Sequence, residues 1–151
     1  MKLPFPLFKQ SIQEKKIYIF KRNSPFGVDD HMHICLKKPD GDILYFVCCT
    51  TKYKTIEKFL QKQNIDYSTI VHIKKDSKNC FDNDDTYINC NSVHAGNLKT
   101  FFKAYNNDIV GFIGEISDNH FYQILIGINN SPIVPNEIKK SIVECLGYNL
   151  F

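Results

Sequence analysis

The sequence predicts a mixed, β-rich α+β fold, in which a small antiparallel sheet or barrel carries appended helices. Three short apolar runs, at residues 17–20, 31–36 and 43–49, follow one another near the start of the chain. They are rich in Ile, Val, Tyr and Phe, which pack well on a pleated sheet. Turn residues separate the runs, and the Pro-Asp-Gly run at 39–41 indicates a tight reversal, because Pro presets φ and Gly accepts a positive φ. Together these observations predict an antiparallel meander.

Length and composition are typical of one globular domain over residues 1–151. A chain of this length can bury a proper core, and no linker-like tract divides it. The hydrophobic content of 43% and the charged content of 23% are ordinary values. The net charge of +3 is mildly basic, so it permits a nucleic-acid partner without requiring one.

The six cysteines are expected to be reduced. The first ten residues do not resemble a secretion signal, and no apolar run approaches the length that crosses a membrane. We therefore expect a cytoplasmic protein without membrane contact, disulfides or cofactors. Zinc is not expected either, because no Cys-x-x-Cys occurs and the spacing of His31, His33 and Cys35 is not that of a structural zinc site.

Five strands are predicted, at residues 16–21, 31–38, 42–49, 69–75 and 86–92. The first three are the runs of the meander, and the last two flank a polar, turn-rich loop at 76–85. The segment at 109–117 is either a last strand or a link between helices, since its two glycines argue against a helix. The first ten residues are expected to form a loop or an edge, because their two prolines cannot donate to a strand ladder.

Helices are predicted at residues 52–63, 98–105, 118–129 and 135–146. Their apolar residues recur at helical spacing, as Ile56 and Leu60 do in the first helix. Asn64 is expected to end that helix, and Ser117 or Asp118 is a suitable N-cap for the third.

Four stretches in this order are similar to the motifs of one toxin family. They read Lys-Ile-Tyr-Ile-Phe at 16–20, His-Met-His-Ile-Cys-Leu at 31–36, Cys-Cys-Thr-Thr at 48–51 and Gly-Glu-Ile-Ser at 114–117. Over residues 15–130 the chain thereby resembles the growth-arrest toxins of the MazF/PemK type. It departs from them in three ways: His31 stands where the family has a catalytic arginine, the Gly and Pro of the family motifs are missing, and a helix rather than a loop is predicted after Thr51.

The resemblance implies both a fold and a function. The implied fold is a small SH3-like antiparallel β-barrel with appended helices. The implied function is that of a bacterial endoribonuclease toxin, which cuts single-stranded messenger RNA without a metal. The expected partners are then single-stranded RNA and a protein antitoxin, and the resemblance also allows a homodimer.

Four residues are candidates for catalysis: His31, His33, Thr50 and Arg22. Metal-free cleavage of RNA needs a base for the 2′-hydroxyl proton, an acid for the leaving oxygen and a donor or cation for the phosphate. Two residues apart on a strand, His31 and His33 are expected to face the same side and to share the acid–base work. Thr50 matches the family's threonine and would donate to the phosphate. Arg22, the only arginine, would replace the missing one, because a guanidinium forks onto phosphate.

Lys52, Tyr53 and Lys54 are predicted to bind RNA, since basic and aromatic side chains together neutralise and stack on a single strand. The same lysines also fit the solvated side of an amphipathic helix. The catalytic candidates have structural alternatives too: a half-buried strand face for the histidines, a cap of the following helix for Thr50 and a solvated loop charge for Arg22.

Two other functions stay open. A barrel without the family's arginine would be a non-catalytic module that binds protein or nucleic acid. An enzyme that uses Cys49 as a nucleophile with a histidine partner is the third hypothesis. The first two differ in one observable: in the endoribonuclease, a histidine, Thr50 and Arg22 converge on one phosphate.

Overall fold

Six antiparallel strands form one sheet within residues 2–21, 31–39 and 41–146, which are the residues that the computed structural model describes. The strands are β1 (Lys16–Phe20), β2 (His31–Cys35), β3 (Ile43–Thr50), β4 (Ile70–Lys74), β5 (Asp85–Asn97) and β6 (Val110–Glu115). Their order across the sheet is β4-β5-β3-β2-β1-β6. The predicted meander is confirmed, because β1, β2 and β3 are antiparallel neighbours.

Five α-helices lie in the same described ranges. They are α1 (Phe5–Ser11), α2 (Tyr53–Gln63), α3 (Leu98–Asn106), α4 (Asp118–Asn130) and α5 (Asn136–Leu146), and a short 3-10 turn occupies Tyr67–Thr69. The four predicted helices are α2 to α5. Their ends follow local signals: Asn64 adopts the left-handed conformation after α2, and the Ser117 side chain accepts a hydrogen bond from the His120 N–H at the start of α4.

The first helix corrects the prediction of a loop or an edge for the first ten residues. Pro4 is the N-cap of α1 and Pro6 lies in its first turn. Backbone N–H groups in a first turn have no partner within the helix, so proline costs little there. The helix then buries Phe8, whose ring centroid lies 5.6 Å from that of Phe101 on α3.

The sheet is open, which corrects the predicted barrel while the α+β class is confirmed. In the described part of the chain, β4 and β6 are its two edges and no ladder joins them. Closing a barrel would bury one face of the sheet against itself. Here helices cover both faces instead. Neighbouring strand residues such as Ile17 and Tyr18 point to opposite faces, and both are buried.

The two faces of the sheet bury different side chains. We call the face under α4 the aliphatic face; its cluster includes Ile17, Ile34, Val47, Ile73, Ile88, Ile124, Leu125 and Ile128. We call the face under α1 and α3 the aromatic face; its cluster includes Phe8, Tyr18, Phe20, Phe46 and Phe101. A third, smaller cluster joins Ile56 and Leu60 of α2 to Tyr87 of β5. The helices thus cover both sides of the sheet but leave some strand ends open.

The cysteines with described side chains are Cys35, Cys48, Cys49, Cys80 and Cys90, and all five are free thiols. The side chain of Cys145 lies outside the described part. Within residues 2–21, 31–39 and 41–146, no helix combines the length and the apolar character that crossing a membrane requires.

Candidate functional site

A groove of about 590 Å³ opens where β2 and β3 meet the loop before β5. Its lining residues among those described are Ile19, His31, Met32, Cys49, Thr50, Thr51, Lys52, Cys80, Asp82, Asn83, Thr86 and Ile113. The apolar members come from the aliphatic face and its edge. The polar lining residues are His31, Thr50, Thr51, Lys52, Asp82, Asn83 and Thr86, whose side chains include an imidazole, an ammonium group, a carboxylate and three hydroxyls. These are the groups that phosphate binding and proton transfer use.

The register of the sheet brings His31 and Thr50 to the same end of adjacent strands. His33 pairs with Cys48, and Ile34 pairs with Val47. Continuing this antiparallel register by two residues sets His31 opposite Thr50. The pairing of β2 with β3 therefore explains why both residues line the groove.

The Thr50 hydroxyl has the right hydrogen-bonding state for a donor. Its Oγ1 accepts a hydrogen bond of 3.1 Å from the backbone N–H of Lys52. A hydroxyl that accepts in this way keeps its own proton to donate. Thr50 does not cap α2, because the N-cap position is Lys52 and carries no side-chain cap.

Thr86, at the start of β5, is a groove residue that sequence reasoning did not single out. It is 1% exposed, and its Oγ1 finds no hydrogen-bond partner among the described residues. A buried hydroxyl without a partner is costly, so a polar ligand in the groove would satisfy it. The pairing of β5 with β3 and β4, which sets the neighbouring Tyr87 opposite Thr50 and Thr86 itself opposite Ile73, brings it to the cavity.

His33 lies away from the groove, in the aromatic cluster. Its ring stacks on Phe20 with centroids 3.9 Å apart, and its Nδ1 lies 3.1 Å from the His31 carbonyl oxygen. A carbonyl only accepts, so Nδ1 carries the proton and the buried Nε2 is left without a partner. Burial lowers the pKa of His33 to about 4, although the hydrogen bond to the His31 carbonyl acts in the opposite direction. Near neutral pH, His33 is thus a neutral core residue.

The predicted RNA-binding residues differ in their positions relative to the groove. Lys52 lines the groove, whereas Tyr53 and Lys54 begin α2 and do not line it. Lys54 is exposed. Arg22 lies outside the described residues, so its role stays a prediction.

The structure does not support Cys49 as a nucleophile. Burial, together with neighbouring Cys48 and Cys80, raises the pKa of the Cys49 thiol well above its ordinary value. Burial also raises the pKa of Cys48, to about 11. The nucleophile is the thiolate rather than the thiol, so both groups are inert near neutral pH.

A row of side chains crosses the sheet beside the groove. Thr50 of β3 pairs with Tyr87 of β5, and Tyr87 pairs with His72 of β4. The Tyr87 ring stacks on His72 with centroids 4.7 Å apart and contacts Tyr53 of α2 at 4.8 Å. The row therefore joins a groove residue to two strand rings and one helix ring.

No protein-family model matches the chain, and no curated protein matches it. Within the described residues, no group of three or more His, Cys, Asp or Glu side chains is arranged to hold a metal ion. The groove is therefore the feature from which we infer a function.

Proposed function

We propose that the chain is an endoribonuclease that cleaves single-stranded RNA in the groove, as a cytoplasmic bacterial toxin of the MazF/PemK type held in check by a protein antitoxin. The observation that carries the proposal is that His31, Thr50 and Lys52 line one cavity. They lie close in sequence to the stretches on which the resemblance rests, and the pairing of β2 with β3 supports their proximity.

The groove residues divide the chemistry between them. The His31 imidazole takes the 2′-hydroxyl proton and returns one to the leaving 5′-oxygen, so that the 2′-oxygen attacks phosphorus and the 5′-ester bond breaks. The Thr50 hydroxyl donates to a phosphate oxygen, and the Lys52 ammonium offsets the charge that builds up there. This proposal assigns no step to His33, because it lies outside the groove.

Asp82 also lines the groove, and its carboxylate opposes an anionic ligand there. It offers a second base beside His31. If Asp82 acts only through charge, Asp82→Asn should strengthen RNA binding without slowing cleavage.

The test is cleavage of a labelled single-stranded RNA by the purified protein in the presence of EDTA. His31→Ala and Thr50→Ala should each slow cleavage by ~10²-fold or more, since each removes a proton carrier or a phosphate donor. Thr50→Ser, which keeps the hydroxyl, should retain most of the activity. The exposed Thr100 on α3 offers a matched control, and Thr100→Ala should cleave like the parent.

Expression of the parent in bacteria should slow growth, and His31→Ala and Thr50→Ala should relieve that effect. Intact RNA with the purified parent, together with growth that no variant alters, would reject the enzyme. The second candidate, a non-catalytic binding module, would then stand. It is favoured by the half-exposed Phe112 and Ile113 on edge strand β6, since apolar side chains on an open edge suit a partner.

A further inference from the structure

We propose that Tyr53, Tyr87 and His72 form a stacking subsite for a base of single-stranded RNA, next to the groove that receives the phosphate. The inference takes its ligand from the proposed function. It adds a second point of contact, on α2, β4 and β5, which the groove does not include.

The row of Tyr87 and His72 continues from the groove residue Thr50. Thr50 pairs with Tyr87, and Tyr87 pairs with His72, so the three side chains lie in line across adjacent strands. Neighbouring strands are about 4.8 Å apart, so Tyr87 lies one strand spacing from Thr50 and His72 lies two. A phosphate held at Thr50 thus leaves its nucleotide over the rings.

The His72 ring is partly exposed to solvent. The His72 side chain is 40% exposed although its ring stacks on Tyr87 with an interplanar angle of 11°. Its Nε2 lies 2.7 Å from Asp85 Oδ1, so the edge of the ring is held in place. A ring that is fixed at its edge and open to solvent is suited to stacking on a base, because little freedom is lost on binding.

Lysine side chains accompany the rings of the subsite. Lys52, Lys54 and Lys74 are exposed around the three rings. Exposed aromatic rings between lysines are the combination that binds single-stranded nucleic acid, with the ammonium groups on the backbone and the rings on the bases. Two carboxylates oppose this charge: Asp85 contacts His72, and the Glu57 side chain forms a hydrogen bond with Tyr53.

Cross-strand ring pairs also stabilise sheets, so the experiment must separate binding from stability. The probe is a short fluorescein-labelled 2′-O-methyl oligoadenylate, which cannot be cleaved because its 2′-oxygen is blocked. Its affinity is measured by fluorescence anisotropy for the parent, His72→Leu and His72→Phe. Leu removes the ring and the Asp85 contact together, whereas Phe removes only the contact.

His72→Leu should weaken binding about tenfold, the effect of losing one base–ring stack. His72→Phe keeps the ring but loses the Asp85 contact, and it should bind more tightly than His72→Leu. An oligonucleotide with abasic sugars should bind the parent and His72→Leu equally, because it has no base to stack. Tyr122→Leu removes an exposed ring from α4, on the other side of the sheet, and should leave the affinity unchanged. Unfolding midpoints of all variants check that the fold is retained.

Parent-like affinity of His72→Leu would overturn the subsite, and so would a His72→Phe variant as weak as His72→Leu. Failure of the proposed function looks different: the oligonucleotide binds and the ring matters, yet ordinary RNA stays intact. A parent that binds no RNA would overturn both.

Discussion

Strand β2 holds two histidines in opposite surroundings, one at its start and one at its centre. His31 lines an open groove, whereas His33, two residues along, is fully buried among the rings of Phe20 and Phe46. The buried imidazole has its pKa lowered to about 4, mainly by burial. The difference teaches that position in the packed sheet, rather than residue type or spacing, decides which histidine is available for chemistry.

Removal of a central ring from the aromatic face should strongly destabilise the protein. Phe101 is fully buried and contacts Phe8, Tyr18, Phe20 and Phe46. Phe101→Ala should lower the free energy of unfolding by about 3–5 kcal/mol, because the helix and sheet cannot collapse into the space. Urea denaturation measures the loss.

A groove substitution provides the contrast to this loss. Thr50→Ala removes a partly exposed hydroxyl and should change the unfolding free energy by about 0.5 kcal/mol or less. Equal losses at Phe101 and Thr50 would contradict the distinction between a closed face and an open groove.

The buried state of His33 predicts a pH-dependent stability. In the unfolded chain its pKa is near 6.5, and in the folded protein it is about 4. Between these values the unfolded state binds the proton more readily, so stability falls as the pH drops from about 6.5 to about 4. The loss should approach about 3 kcal/mol from this residue.

His33→Phe isolates that contribution. Phe keeps a ring against Phe20 but cannot be protonated, so the unfolding free energy should depend less on pH over this interval. Burial also lowers the pKa of His94, which therefore contributes in the same direction in both proteins. Identical pH profiles of parent and variant would show that His33 is not buried as a neutral ring.

The aliphatic face is tight where α4 meets β5, and a substitution there should have a smaller effect on stability than loss of the Phe101 ring. A Cβ added at Gly127 would lie 2.8 Å from the Cys90 Sγ. Gly127→Ala should therefore destabilise the protein by about 1 kcal/mol, as overpacking outweighs the gain in helix propensity. Urea denaturation of Gly127→Ala, Cys90→Ala and the double variant should show a favourable coupling of about 1 kcal/mol.

Gly111 on β6 is the matched control, since a Cβ there would meet only Ile19 Cγ2 at 3.5 Å. Gly111→Ala should be tolerated. Additive effects of Gly127→Ala and Cys90→Ala would mean that the two residues do not touch.

The sequence by itself determined the elements that depend on local physics. Short apolar runs rich in β-branched and aromatic residues marked the first three strands, and helical spacing marked α2 to α5, because side-chain patterns report which face is buried. The Pro-Asp-Gly turn before β3 and the end of α2 at Asn64 also followed from local backbone preference, and Gly41 adopts a φ of 62°. Pro4 and Pro6 misled because proline in a first helical turn looks the same in sequence as proline in a loop.

The tertiary structure alone decided which residues meet. Spacing predicted that His31 and His33 would act together, but the rings that surround His33 come from β1, β3 and β5. Thr86 reaches the groove only because β5 pairs with both β3 and β4, and helices on both faces leave the sheet open rather than closed. Periodicity describes one element at a time, whereas burial and proximity are properties of contacts between elements far apart in the chain.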